Sequence, residues 1–214
     1  MNKGEVRGKL AALQDAIRDY RAFAGEGAWF LTDGTAPMLP GDKLRACRLF
    51  PSRAQLYQQL DRPRDVAETG TQDGAAALQI LRELDPVSLV CMDSNFRALN
   101  LHVLAPYMDR VRLRPGKPWV QLDTFDDNSF DFVVLAGVSD VHTLKKCLDT
   151  CLRTVRRQGL VLCAGFTTWS PGAMQPYGVY KSVCEFISAN DVEMAYLVMQ
   201  PHAFHDVVVR VVNK

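Results

Sequence analysis

The order of segments constrains this chain most. Strand-like runs at 65–68, 88–93, 111–114, 131–136 and 159–163 alternate with helix-like runs at 74–84, 96–107, 141–156 and 177–189. Strands separated by about ten to fifteen helical residues predict right-handed crossovers and a parallel sheet covered on both faces. The last two strand-like runs, VEMAYLV and DVVVRVV, are joined only by MQPHAFH. That is too short for a crossover, so they predict an antiparallel hairpin. Near the start, Val6, Leu10, Leu13, Ile17 and Tyr20 recur at helical spacing, and SRAQLYQQL is helical again. The expected fold is a doubly wound, Rossmann-like α/β domain: a mostly parallel seven-stranded sheet with a C-terminal antiparallel hairpin and N-terminal helices. Residues 1–50 are read as an N-terminal helix and loop, a lid or cap carrying Trp29 and Phe30. Residues 51–214 form the ligand-binding domain.

Composition excludes several partners. The formal net charge is +1, whereas nucleic-acid binding leaves a basic footprint. No stretch approaches the roughly 20 apolar residues that span a bilayer. The segment MNKGEVRGKLAALQDAIRDY carries charges every few residues and lacks the apolar core of a signal peptide, so a cytoplasmic protein is expected. Six cysteines, Cys47, Cys91, Cys147, Cys151, Cys163 and Cys184, form no CxxC pair and fit buried, reduced thiols. Cys147 and Cys151, four apart on a helix, lack the second ligand pair a metal site needs.

The stretch DVAETGTQDGAAALQIL carries the strongest local signal. A strand runs into Glu68; Gly70 and Gly74 follow, and then an alanine-rich helix. In an open parallel sheet, ligands bind beyond the carboxyl ends of the strands, near the reversal of strand order. A Walker loop would end in Gly-Lys-Ser/Thr, which is absent, and a dinucleotide loop would read G-x-G-x-x-G, which the spacing does not match. What is present, E-x-G-x-x-x-G, resembles the nucleoside loop of class I S-adenosylmethionine-dependent methyltransferases. A ligand without a pyrophosphate needs no anion nest but close approach to bare backbone, and an acidic side chain suits its cationic part. The next strand, SLVCMDSN, ends in Asp93, about one βαβ unit downstream, where a carboxylate can accept both ribose hydroxyls. The competing reading of Asp93 is a helix N-cap.

Beyond the loop, the chain resembles methyltransferase family 24, the macrocin O-methyltransferase-like and cephalosporin-hydroxylase-like branch, from PSRAQLYQQL to its end. The segments that carry the resemblance are DNSFDFVVLAG, VHTLKKCLDTCLRTVRRQGLVLCAGF, YGVYKSVCEFI and the closing hairpin. It implies S-adenosyl-L-methionine as cofactor, held by Glu68, Gly70, Thr71, Gly74, Asp93, Ser94, Gly116 and Ala136. Lys117 and Pro118 depart from the acid and small polar residue usual beside the adenine. After the fourth strand the family shows Asp-Gly-Asp-His, and after the fifth a His-Asp or Asp-Asp pair; here stand AGVS (136–139) and Ala164–Gly165. Those positions supply metal-ligating oxygens in family members that use a divalent ion, and Ala, Val and Gly side chains offer none. The expectation is a metal-independent methyltransferase acting on a small-molecule hydroxyl or amine. The alternative is a non-catalytic relative that binds the cofactor or serves as a scaffold. Asp140, His142 and Tyr177 are the candidate catalytic residues, with Asp140 as helix N-cap and His142 as a solvent-facing first-turn residue the competing readings. Trp169 and Tyr180 are further aromatics where an acceptor would stack. His202 and His205 belong to the hairpin turn. Expected partners are a small-molecule acceptor and a second copy of the chain in a homodimer, with neither nucleic acid nor membrane.

Overall fold

The computed structural model describes residues 2–24, 36–170, 175–200 and 204–212. Its main sheet has eight strands: β1 (Arg48–Phe50), β2 (Asp65–Thr69), β3 (Ser88–Asp93), β4 (Val111–Pro115), β5 (Phe130–Leu135), β6 (Val155–Cys163), β9 (Val192–Val198) and β10 (Asp206–Val211), ordered β1-β9-β10-β6-β5-β2-β3-β4. Two short strands, β7 (Trp169–Ser170) and β8 (Gln175–Pro176), pair separately. Within the main sheet β10 is antiparallel to both β6 and β9, while the other pairings are parallel.

The doubly wound reading and the C-terminal hairpin match this arrangement; the count of seven strands does not. The eighth, β1, comes from the segment read as a cap and lies parallel to β9 at the sheet edge. Three residues are too few to display alternation, and only Phe50 of the three is buried. The helix expected over 96–107 is a short α5 (Leu101–Leu104), capped by the Asn100 side chain, followed by a 3-10 turn through Pro106. Proline lacks the N–H that would continue the α-helix. Conversely, Pro118 opens an unanticipated helix, α6 (Pro118–Asp123), where its missing donor costs nothing.

The remaining helices are α1 (Lys3–Ala24), α2 (Gly41–Leu44), α3 (Arg53–Tyr57), α4 (Ala75–Glu83), α7 (Val141–Thr154) and α8 (Val179–Ala189). Both faces of the sheet are covered. Ala67, Val133 and Val161 pack towards α7 and α8, while Val66, Val134 and Leu162 pack towards α3 and α4. This is the pattern expected of strands buried on both sides. In helix α1, Val6, Leu10, Leu13 and Tyr20 are exposed despite their helical spacing, and Ile17 is half-buried. Among the described residues no helix is long and apolar enough to cross a membrane.

Candidate functional site

Strand order reverses between β2 and β5, because the chain runs outward to β3 and β4 before returning to β2's other side. The carboxyl ends flanking such a reversal form the ligand crevice of open α/β sheets. Here they are tied together. Thr69 Oγ1 donates to the Ala136 carbonyl (2.9 Å) and accepts from the Ala136 N–H (3.1 Å). Gly70, at φ +67°, lies so close that an added Cβ would press on the Ala136 carbonyl, 2.8 Å from its carbon and 2.9 Å from Gly137 Cα. A side chain at this position would thus strike the Ala136–Gly137 backbone.

Alternation along the strands puts Glu68, Asp93 and Asp206 on the sheet face that packs against α3 and α4, as with Val66, Cys91 and Val208. Glu68 is fully buried, and among the described residues neither its carboxylate oxygens nor the neighbouring Thr71 hydroxyl has a hydrogen-bond partner in good geometry. Burial pushes the Glu68 carboxyl up to about 7, against the opposing pull of Thr71, Cys91 and Arg53. A buried carboxylate without well-placed donors is costly and calls for an explanation.

Asp93 caps no helix. Its Oδ2 accepts the Gln72 N–H (3.0 Å), and its Oδ1 accepts from Ser94 Oγ (3.2 Å) and the Asn95 N–H (3.3 Å). A carboxylate has about four acceptor positions, so one remains on Oδ2. Ser94 thus orients Asp93. Gly74, at φ +90°, begins α4 where a Cβ would strike Leu99, and Gly116 donates its N–H to the Asp93 carbonyl (2.8 Å).

On the same face, a cleft of about 540 Å³ opens between the ends of β6 and β10 and the helices α3 and α4. Asp206, 1% exposed, grips Arg53 with both oxygens (2.7 and 2.9 Å) and also accepts from Gln200 Nε2 (2.7 Å) and the Gly165 N–H (3.4 Å). All its acceptor positions are filled. Arg53 is therefore a fixed cation, and its Nη1 bonds to no described residue. Tyr177 lies against Gly165 and edge-on to Phe204 (5.9 Å, 89°). Burial raises the Tyr177 phenol, keeping it a proton donor.

The other two catalytic candidates fall elsewhere. Asp140 accepts the Thr143 N–H (2.8 Å) as N-cap of α7, and His142 is exposed in that helix's first turn; neither lines the cleft. Tyr180 packs on Phe166 (4.7 Å), and His205 Nδ1 accepts the Gln200 N–H (3.1 Å). Trp29, Phe30 and His202 lie outside the described residues. Among the described residues no group of three or more His, Cys, Asp or Glu stands together as a metal site. Sequence reasoning missed Arg53, Gln200 and Asp206. The one available signal was an acid heading the apolar run DVVVRVV; its partner lies 153 positions away.

No family model and no curated protein matches the chain. Solved structures do. A Corynebacterium glutamicum protein aligns over 94% of this chain and 98% of its own, at 16% identity and TM-score 0.58. A Podospora anserina methyltransferase, SAH-bound in its crystal, aligns over 75% and 78%, at 16% identity and TM-score 0.52. An O-methyltransferase family protein of Burkholderia thailandensis aligns over 76% of this chain at 11% identity and TM-score 0.54. The chain has a methyltransferase fold. It spans about half, 55%, of the Burkholderia protein's length.

Proposed function

We propose that the chain is an S-adenosylmethionine-dependent methyltransferase that needs no metal and acts on a small-molecule hydroxyl or amine. The observation that carries this reading is the fully buried Glu68 carboxylate, without a well-placed donor among the described residues, at the strand reversal of a methyltransferase-fold sheet. The resemblance to methyltransferase family 24 supports a small-molecule acceptor. When bound, the cofactor supplies a methyl group on a sulfonium. The residues present fit it. Asp93 accepts the ribose hydroxyls through its spare position on Oδ2. Glu68, buried beneath the glycine loop with Thr71, would attract the ammonium of the amino-acid tail by its charge. Arg53, held rigid by Asp206 and Gln200, meets the tail's carboxylate. An amino-acid zwitterion is thereby matched by one fixed cation and one buried anion.

The acceptor occupies the cleft beside Tyr177 and Phe204, where Gln79 and Gln200 orient its polar atoms. Positioning is the chain's main contribution to an in-line displacement. Among the described residues the cleft offers no ready base: Asp206 is saturated and the Tyr177 phenol is held protonated. That favours an acceptor already nucleophilic as a free amine over an unactivated hydroxyl. The same lack favours, as the second reading, a relative that binds the nucleoside without transferring methyl.

Methyl transfer from labelled S-adenosylmethionine to a panel of amines and hydroxyls, with and without EDTA, tests the choice. Label on an amine, unaffected by EDTA, supports the first reading. Collapse on chelation and recovery with Mg²⁺ removes metal independence. Nucleoside binding with no transfer to any acceptor leaves the second reading.

A further inference from the structure

A second concavity, of about 410 Å³, lies at the opposite edge of the sheet, where β2, β5 and β6 begin. The five residues of β2 put roughly 15 Å between it and the glycine loop. Five arginines and two aspartates line it. Two of the arginines are occupied: Arg156 bridges Asp65 and Asp131, and Arg210 pairs with Glu193 (2.8 Å) while lying over the Tyr196 ring. The other three, Arg62, Arg64 and Arg157, have no carboxylate partner among the described residues. Asp61 is the one lining acid outside these pairs, so the unpaired groups sum to +2.

The site is built rather than incidental. Arg157 Nε and Gln158 Nε2 both donate to the Val212 carbonyl (3.2 and 3.3 Å). Gln158 takes a left-handed φ of +65°, and a Cβ on Gly159 would stand 2.9 Å from the Asp131 carbonyl oxygen. The turn that presents Arg157 is therefore fixed by tight backbone packing. On the facing wall, Pro63 is buried between Arg62 and Arg64, and Asp131 Oδ2 accepts the Arg64 N–H (2.7 Å). Phe132 and Leu160 supply apolar lining. Three exposed arginines without a carboxylate partner line one hollow and give it an excess of positive charge that an anion would offset. Guanidinium is the side chain best matched to phosphate oxygens, and the volume lies in the small-ligand range.

We propose that this hollow is a second ligand site, for a phosphate ester of nucleotide size, separate from the methyl-transfer crevice. Calorimetry with uridine 5′-monophosphate, uridine and inorganic phosphate tests it on the whole chain, beside the variant Arg62→Gln/Arg64→Gln/Arg157→Gln. All three side chains are exposed, only Arg157 gives up a hydrogen bond to the Val212 carbonyl, and circular dichroism verifies that the variant folds. The monophosphate is expected to bind, the uncharged nucleoside not, and the triple variant to lose at least about tenfold in affinity. S-adenosylhomocysteine binding should not change in the variant, so failure here is distinguishable from failure of the methyltransferase reading. Unchanged monophosphate affinity in the triple variant would overturn the site. So would uridine binding as tightly as its phosphate, inorganic phosphate binding as tightly as the ester, or binding of a long oligonucleotide alone.

Discussion

Glu68→Gln removes the buried charge while preserving the side chain's shape, and its effect depends on pH in a calculable way. The folded carboxyl is raised to about 7 from an ordinary value of 4.5. Between those values the folded chain holds more protons at this site than the unfolded chain. Stability therefore falls as pH rises through that window and is level outside it. At about 1.36 kcal/mol per unit, the full penalty above pH 7 is about 3 kcal/mol. The glutamine variant has no such term, only a pH-independent cost of about 1–3 kcal/mol for an unpartnered amide. Urea unfolding followed by circular dichroism, at several values across the window and at about pH 8, gives both stabilities. Every other titrating group cancels in their difference. The variant should gain about 3 kcal/mol on wild type across the window, most of it between the two pKa values. Parallel curves would refute the reasoning, because Glu68 would then ionise in the fold as freely as in the unfolded chain.

Asp93→Ala should weaken S-adenosylhomocysteine binding by about 1.5–3 kcal/mol, as measured by calorimetry on the folded variant. Gly70→Ala should destabilise by more than about 2 kcal/mol in urea unfolding, since its Cβ meets backbone at a left-handed φ. Asp131→Ala should cost about 2–4 kcal/mol, because the N–H groups of Arg64 and Asp65 and the Arg156 guanidinium all lose their acceptor. Burial pushes the Asp131 carboxyl up, but those partners together outweigh it and hold the carboxyl below its ordinary range. Its contribution is thus present above about pH 4 and lost as pH falls through the folded value, which acid titration of wild type against the variant would register. Deleting residues 2–24 should shift the urea midpoint little, since the apolar residues Val6, Leu10, Leu13 and Tyr20 of α1 bury no core.

What the sequence revealed was what periodicity and local chemistry can reveal. Strands β3 and β5 were legible because runs such as SLVCMD and FDFVVL are apolar on both faces. The hairpin followed from a short link. Asp93 stood out because an acid closing an apolar strand has few structural uses. Edge strand β1 was invisible because three residues carry no period, and α6 because Pro118 reads as a loop when its place at the first helical turn is unknown. The site was half legible for the same reason. Glu68 and Gly70 announce themselves in one segment, but the Arg53–Asp206 grip joins residues 153 apart, and only the sheet order brings them together. Gly70 shows the limit within a motif: a positive φ could be foreseen, but not which backbone it faces.

On the proposed reading, Glu68, Asp93 and Arg53 surround the amino-acid and ribose portions of S-adenosylmethionine. The most direct measurement is calorimetric titration of the chain with S-adenosylhomocysteine at pH 6 and pH 8. Binding should be tighter at pH 8, where the ionised Glu68 attracts the ammonium, and Glu68→Gln should lose that pH dependence. No binding at either pH by the folded chain, or binding with the same pH dependence in Glu68→Gln, would contradict it.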